Sequence, residues 1–513
     1  MIATRLSQKE CGRGQKDGYD RPLRPVRWPP LLTTLLKRHA LWVGAVTAVM
    51  ALQALLVLNH RPWIDEWQAL QIALQSSDLA ALLENLRYEG HPPLWYFYLQ
   101  GIAAMVPPRT VLATAQLPIA LALQALVLLR LQLPKIDRLL LGCGFLILFD
   151  FGTLSRSLSL GVLLFTLAWL YRDRRWIWPV IALMPLVDFL FGALSIIVIA
   201  VQWQERRLWT PGLALWLVCC LISAWTVRPA PDIVSSQELD GPLFETFVWM
   251  VRLSVLLVPF PVLNGVPTWN NPLPPAIAIL IGPLFLLFAY KMLARDRFHL
   301  LLFGGFALLT WLFSIFVYPL AIRHLALMAW LLILLLARAN AAGTPPGVPF
   351  RPWIAVSAVC GLFAATYNLF VTPFDTADRA AAYIENKRLS GKPWMVFPNT
   401  HAQGIAAMQG MRFFEADRSC SQDFVRWNHV PTVRDIATLE PAIDRQSKAH
   451  GRLHLITLIA PEEWRHPDRY RLLTHVPAGY DGQTFYPYVV RPDLPESGWR
   501  PPNCAPDRLP LQL

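Results

Sequence analysis

Asp65-Glu66-Trp67 and Glu89-Gly90-His91-Pro92-Pro93-Leu94-Trp95-Tyr96 are the densest groupings of chemically capable side chains in the sequence. Two adjacent carboxylates can divide the work of a transfer reaction. One takes a proton from a hydroxyl as that hydroxyl attacks an electrophilic carbon, while the other orients the nucleophile or holds a cation. Asp65 is read as the general base and Glu66 as its partner. The competing role is structural, with Asp65 as the N-cap of a helix over 66–75. A second group is cationic: Arg156, and Arg323 next to His324, stand at the ends of apolar blocks. A departing phosphate needs donors on its oxygens, and a guanidinium supplies two in parallel. Snorkelling toward lipid headgroups is the alternative use of such arginines. Asp150 and Asp188 are expected to pair with them, and His91 to act as a hydrogen-bonding group at a turn. No GxSxG, HExxH, Gly-rich phosphate loop or Cys/His metal spacing accompanies these residues.

The elements that must carry these groups are membrane helices. Of 513 residues, 55% are hydrophobic and only 16% charged, against about 25% charged in an ordinary soluble chain. The excess is gathered into blocks, and Ala40 to Leu58 alone is long enough to cross a hydrocarbon core of about 30 Å. The net charge of +12 does not describe a nucleic-acid binder. Half of it sits in residues 1–39, where nine Lys/Arg face three Asp/Glu, and no basic stripe with interleaved aromatics occurs elsewhere. A basic arm ahead of a first apolar block marks a cytoplasmic start, retained as an anchor.

Threading the blocks from that start gives crossings at 40–58, 110–131, 139–151, 157–171, 177–189, 190–203, 210–227, 274–291, 299–317, 324–337 and 353–370. Each inner connection is then basic: Lys135 and Arg138, Arg172 with Arg174 and Arg175, Arg206 with Arg207, Lys291 with Arg295 and Arg297, Arg338 with Arg351. The segments 139–151, 177–189 and 190–203 are short for a crossing at about 1.5 Å per residue, which implies misplaced boundaries or helices ending in a protein-lined cavity. Outside the membrane lie loops 59–109 and 228–273, whose apolar pieces Leu94–Val106 and Phe247–Val262 are expected to lie along the membrane surface. Arg252 interrupts the second piece. Residues 371–513 hold 17 Lys/Arg and 16 Asp/Glu, with strand-like runs at Trp394–Phe397, Leu453–Ile459 and Phe485–Val490 between helical stretches. They read as a small α/β domain outside the membrane. Its two cysteines, Cys420 and Cys504, would bridge in an oxidising compartment.

The acidic pair after the first helix, followed by Gly-His-Pro-Pro-Leu-aromatic, resembles the GT-C membrane glycosyltransferases. It is similar in particular to the protein O-mannosyltransferase and aminoarabinose-transferase group and its bacterial relatives. The matching motifs occupy residues 60–100. The resemblance implies a helical polytopic fold of about eleven crossings with an outer C-terminal domain. It also implies a polyprenyl-phosphate sugar donor, an inverting transfer to a lipid, glycan or protein acceptor, and a site facing the periplasm of a bacterial inner membrane. Arg109 stands where family members carry an Arg before the second crossing. Arg156 matches a second family Arg, although Ser157-Leu158 replaces the aromatic that usually follows, and Asp188 stands where relatives carry His or Asn. These, with His91, Arg323 and His324, are the expected substrate contacts. No cofactor is required, because arginine can do the phosphate work, although Asp65 and Glu66 would also suit a divalent cation. Two rivals remain, a transporter of lipid-linked sugars and a noncatalytic assembly factor for surface polysaccharide. The halves lack the symmetry or matched broken helices that the first requires.

Overall fold

The computed structural model describes residues 30–233, 241–259, 273–344, 346–428 and 432–504. Most of the basic arm, and the end of the apolar piece 247–262, lie outside the described residues. The helices in chain order are α1 (Pro30–Asn59), α2 (Ile64–Gln75), α3 (Leu79–Glu89), α4 (Leu94–Ala103), α5 (Val111–Ala125), α6 (Lys135–Gly142), α7 (Phe151–Thr153), α8 (Ser157–Leu170), α9 (Trp178–Leu183) and α10 (Phe189–Gln204). They continue with α11 (Thr210–Thr226), α12 (Pro242–Leu257), α13 (Pro275–Leu293), α14 (Arg297–Phe316), α15 (Ile322–Ala341) and α16 (Arg351–Phe370). Among the described residues, six stretches are long and apolar enough to cross a membrane: His39–Asn59, Pro108–Arg130, Pro275–Leu293, Arg297–Phe316, Ile322–Ala341 and Arg351–Phe370. Six, and not eleven, is therefore the count that length and composition support.

The shorter apolar blocks fail for visible reasons. Segment 139–151 breaks into α6, a π-turn over Phe145–Asp150 and α7. Its freed carbonyls are taken up by three buried glutamines. Gln124 donates to Gly142 O at 2.8 Å, Gln116 to Phe151 O at 2.9 Å and Gln53 to Gly152 O at 2.9 Å. A helix can end inside an apolar interior only when such partners are supplied. Segment 177–189 is interrupted at Pro185 and stops at Asp188, which caps α10 by accepting from Leu190 N at 2.9 Å.

The helix α15 is buried on nearly every side, which fits a sequence apolar all round. Its Trp330 indole donates to Thr166 of α8 at 3.0 Å. By contrast α13, α14 and α16 leave residues such as Leu280, Leu301 and Val359 exposed. The expectation that the second loop's apolar piece simply lies on a surface is corrected: α12 packs on α13, α14 and α15. Arg252, half-buried there, donates to Pro319 O and Leu320 O at 2.9 and 2.8 Å. The charge is thus taken up by carbonyls of the loop between α14 and α15.

The C-terminal domain adds α17 (Ala377–Asn386), α18 (Gln403–Gln409) and α19 (Ile436–His450) to strands β1 (Trp394–Phe397), β2 (Phe413–Glu415), β3 (Ser421–Gln422), β4 (Leu453–Thr457), β5 (Tyr470–Leu472) and β6 (Tyr486–Val490). The sheet order is β3-β2-β1-β4-β6-β5. β1 runs parallel to β2 and β4, and the remaining pairs are antiparallel. Helices α17 and α18 cover one face and α19 the other. Cys420 and Cys504 form a disulfide that joins the β3 edge to the last described residues.

Candidate functional site

The first loop is organised by Glu66, whose side chain is wholly buried. Its Oε2 accepts from Trp63 N and from His60 Nε2, both at 2.8 Å, and its Oε1 accepts from Ser155 N at 2.6 Å. The first bond closes the N-terminus of α2, and the last ties that helix to the break between α7 and α8. Glu66 is thereby spent on positioning. Asp65, in the same turn, points elsewhere. Its Oδ2 accepts from Arg323 Nη2 at 2.7 Å and makes an ion pair with Arg156 Nη1, the latter close in space but without hydrogen-bond alignment. Each Arg side chain is 12% exposed and the Asp65 side chain 34%.

Local sequence explains this convergence. Ser155, held by Glu66 and by its own bond to Leu112 O, keeps Leu154–Arg156 extended, so Arg156 falls at the N-cap of α8. Arg323 and His324 occupy the first turn of α15. Asp188 caps α10. The N-terminal ends of helices carry partial positive charge, and four of them, those of α2, α8, α10 and α15, carry the site residues. Trp63 lies under Arg323, with the guanidinium carbon 5.2 Å from the ring centre. The expected ion pairs of Asp150 and Asp188 with these arginines are not formed. Among the described residues both guanidiniums pair with Asp65, and Asp150 and Asp188 act on Arg323 and Arg156 only at longer range, as Tyr318 does on both. Several nitrogens remain without hydrogen-bond partners although buried: Arg323 Nε and Nη1 and His324 Nδ1, with Arg156 Nη1 engaged only in its ion pair with Asp65.

On the adjoining side, α3 ends at Gly90, whose φ of 68° lets the chain turn directly into His91-Pro92-Pro93. His91 Nδ1 donates to Glu89 O at 2.9 Å, which is the turn role expected of it, and its ring also interacts with Asp188 and His324. Glu89 accepts from Gln68 Nε2 at 2.6 Å and from the Trp427 side chain. Burial pushes its carboxyl above the usual range, against the pull of the Gln68 bond. Gln68 is the residue that the sequence did not disclose. It also pairs with Val425 of the C-terminal domain, donating to O at 2.8 Å and accepting from N at 3.1 Å. Its position one turn beyond Asp65 on α2 was the available signal. Val425 and Trp427, some 350 residues away, gave none.

Arg109 does not join the cluster. It is exposed and donates to Met408 O at 3.0 Å and to Glu385 at 3.4 Å, so it docks the C-terminal domain. The oxygens of Asp65 and Glu66 serve different partners, and among the described residues no group of three or more His, Cys, Asp or Glu side chains is placed to hold a metal ion. Fold and site together define a mostly helical protein with membrane-type spans and a small sheet domain docked against the loop that bears the site. Comparison with protein families, with curated proteins and with solved structures returned no match for the chain.

Proposed function

We propose that the protein is a membrane glycosyltransferase that moves a sugar from a polyprenyl-phosphate donor to an acceptor hydroxyl. The observation that carries the reading is the pairing of Arg156 and Arg323 on one partly exposed carboxylate oxygen, with further guanidinium and imidazole donors unused beside it. Buried cations with spare donors fit an anion that offers several oxygens, as a phosphate does. Asp65 stands next to that place as the base. In the reaction the acceptor oxygen bonds to the anomeric carbon as the bond from that carbon to the phosphate oxygen breaks. The bonding pair leaves with the phosphate, and the acceptor proton passes to Asp65. The configuration at carbon inverts.

The placement of the site supports an outer-face reaction. The C-terminal domain contacts the first loop through Gln68 and Arg109, so the two share one side of the helical layer. That domain holds a disulfide, a bond that persists outside the cytosol. The basic connections Arg172 and Arg338 gather on Glu205 at the opposite ends of their helices. In this reading the N-terminus is cytoplasmic and the C-terminal domain periplasmic, in a bacterial inner membrane. Six crossings alone would return the chain to the cytoplasmic side, so the shorter apolar segments, such as Ser157–Leu170, Phe189–Gln204 and Thr210–Thr226, supply an odd number of further crossings.

The test is a membrane assay with a panel of polyprenyl-phosphate sugars, reading out free lipid phosphate. Release with one donor, and its loss in Arg323→Ala, is the expected result. No release with any donor would replace this reading with that of an assembly factor.

A further inference from the structure

We propose that Asp65 holds the place of the donor phosphate in the empty site, and that the arriving phosphate displaces it from both guanidiniums and thereby frees the base. The proposal rests on the glycosyltransferase reading above and adds an order of events to it.

The geometry makes Asp65 an internal counter-ion. One of its oxygens contacts Arg156 and Arg323 together. The exposures differ in a telling direction, 34% for the carboxylate against 12% for each guanidinium. An incoming anion therefore meets Asp65 first and reaches the arginines only by taking its place. Asp65 is also the acid that can leave. Asp150 and Asp188 lie buried, and Asp188 is held by Leu190 N. Glu66 is fixed by its three donors. Among the described residues, the Asp65 carboxylate is held by the two arginines alone.

The exchange favours the ligand because the carboxylate leaves donors idle. Arg323 Nε and Nη1 and His324 Nδ1 are buried without hydrogen-bond partners, and Arg156 Nη1 meets only the Asp65 oxygen, without hydrogen-bond alignment. A phosphate brings more acceptor oxygens than the single one that Asp65 presents here, so it can engage groups that Asp65 does not. Trp63 beneath Arg323 keeps the guanidinium in position while its partner changes. Arg252 is directed elsewhere, its Nη1 donating to both Pro319 O and Leu320 O. Until a donor binds, Asp65 is clasped and cannot take a proton from water or from an acceptor. After it binds, the carboxylate is released beside the anomeric carbon.

Binding of undecaprenyl phosphate to the purified full-length protein, followed by native mass spectrometry, tests this without knowledge of the sugar or the acceptor. Removing the internal competitor in Asp65→Asn should tighten binding about tenfold, the equivalent of one partly exposed ion pair no longer broken. Asp65→Ser, which removes the charge by a different route, should tighten it equally, and Arg323→Ala should weaken it at least as much. Phosphatidic acid, with the same phosphate on a diacyl lipid, is the control. A gain shared equally by both lipids keeps the displacement but overturns a prenyl-specific donor. If the wild type binds undecaprenyl phosphate and neither Asp65 variant binds it more tightly, the displacement is wrong while the glycosyltransferase reading stands. If neither the wild type nor any variant binds it, that reading falls and the displacement falls with it.

Discussion

Replacing Glu66 by Gln should damage the fold rather than only the chemistry. The carboxylate serves three donors, Trp63 N and His60 Nε2 on one oxygen and Ser155 N on the other, and its side chain is fully buried. A glutamine keeps one acceptor oxygen and turns an NH₂ group toward the remaining donors. Whichever way the amide is placed, at least one buried backbone N–H then faces another donor. The lost charge-assisted bond contributes about 1.5–3 kcal/mol, and the orphaned N–H costs about 1–3 kcal/mol more. The expected destabilisation is therefore about 2.5–6 kcal/mol, a large share of a typical folding free energy. Denaturant titration of wild type and Glu66→Gln in the same detergent measures it. A difference below about 1 kcal/mol would refute the positioning role and restore Glu66 as a candidate for direct chemistry.

Asp65→Asn should lower turnover by about 10²–10⁴ with the protein still folded, since an amide cannot accept the proton; wild-type activity would exclude Asp65 as the base. Arg156→Lys and Arg323→Lys should each impair turnover despite retaining charge, because an ammonium lacks the two parallel donors of a guanidinium. If both lysine variants match wild type at equal expression, these arginines serve the membrane and not a phosphate. A reporter active only in the cytoplasm, fused after Leu513, should give no signal, and a strong signal would reverse the topology. Asp375 and Asp481 supply a pH dependence. Both are buried where the chain enters the C-terminal domain; burial pushes Asp481 up to about 7, and burial with the neighbouring Asp481 raises Asp375. A raised carboxyl in the folded state gives stability that is complete below about pH 4 and is lost as pH climbs through about 7. Asp481→Asn should flatten that decline and raise the melting temperature at pH 8, by the equivalent of about 2–4 kcal/mol. An unchanged pH profile would remove the pair as its source.

The elements with long-range periodic signals were legible in the sequence. Three strands were placed where β1, β4 and β6 lie, because short apolar runs bounded by turn residues say so locally. The strands β2, β3 and β5 are two or three residues each and exist through their neighbours, so nothing in their own composition announces them. The membrane count failed for a similar reason. Hydropathy cannot see that Gln53, Gln116 and Gln124, on two other helices, satisfy carbonyls that would otherwise demand a continuous helix through 139–151. Within the site, residue chemistry identified Asp65, Arg156, Arg323, His324 and Asp188, which do gather. The roles of Glu66, Arg109 and Gln68 depended on partners far along the chain, and for Arg109 the sequence position was misleading.

The contacts that join the first loop to the C-terminal domain end mostly on main-chain atoms. Gln68 grips the amide and carbonyl of Val425 much as a neighbouring strand would, Gln71 reaches Asp423 O, and Arg109 reaches Met408 O. These bonds read the path of the chain, and the side-chain identities the joint requires are few: Trp427 against Glu89, Glu385 against Arg109 and Phe424 in the core of the first loop. The exposed surface of the tail domain is therefore free to diverge, residue by residue, without losing its seat beside the site. A lineage could retune what the domain presents while the loop carrying Asp65 stays as it is.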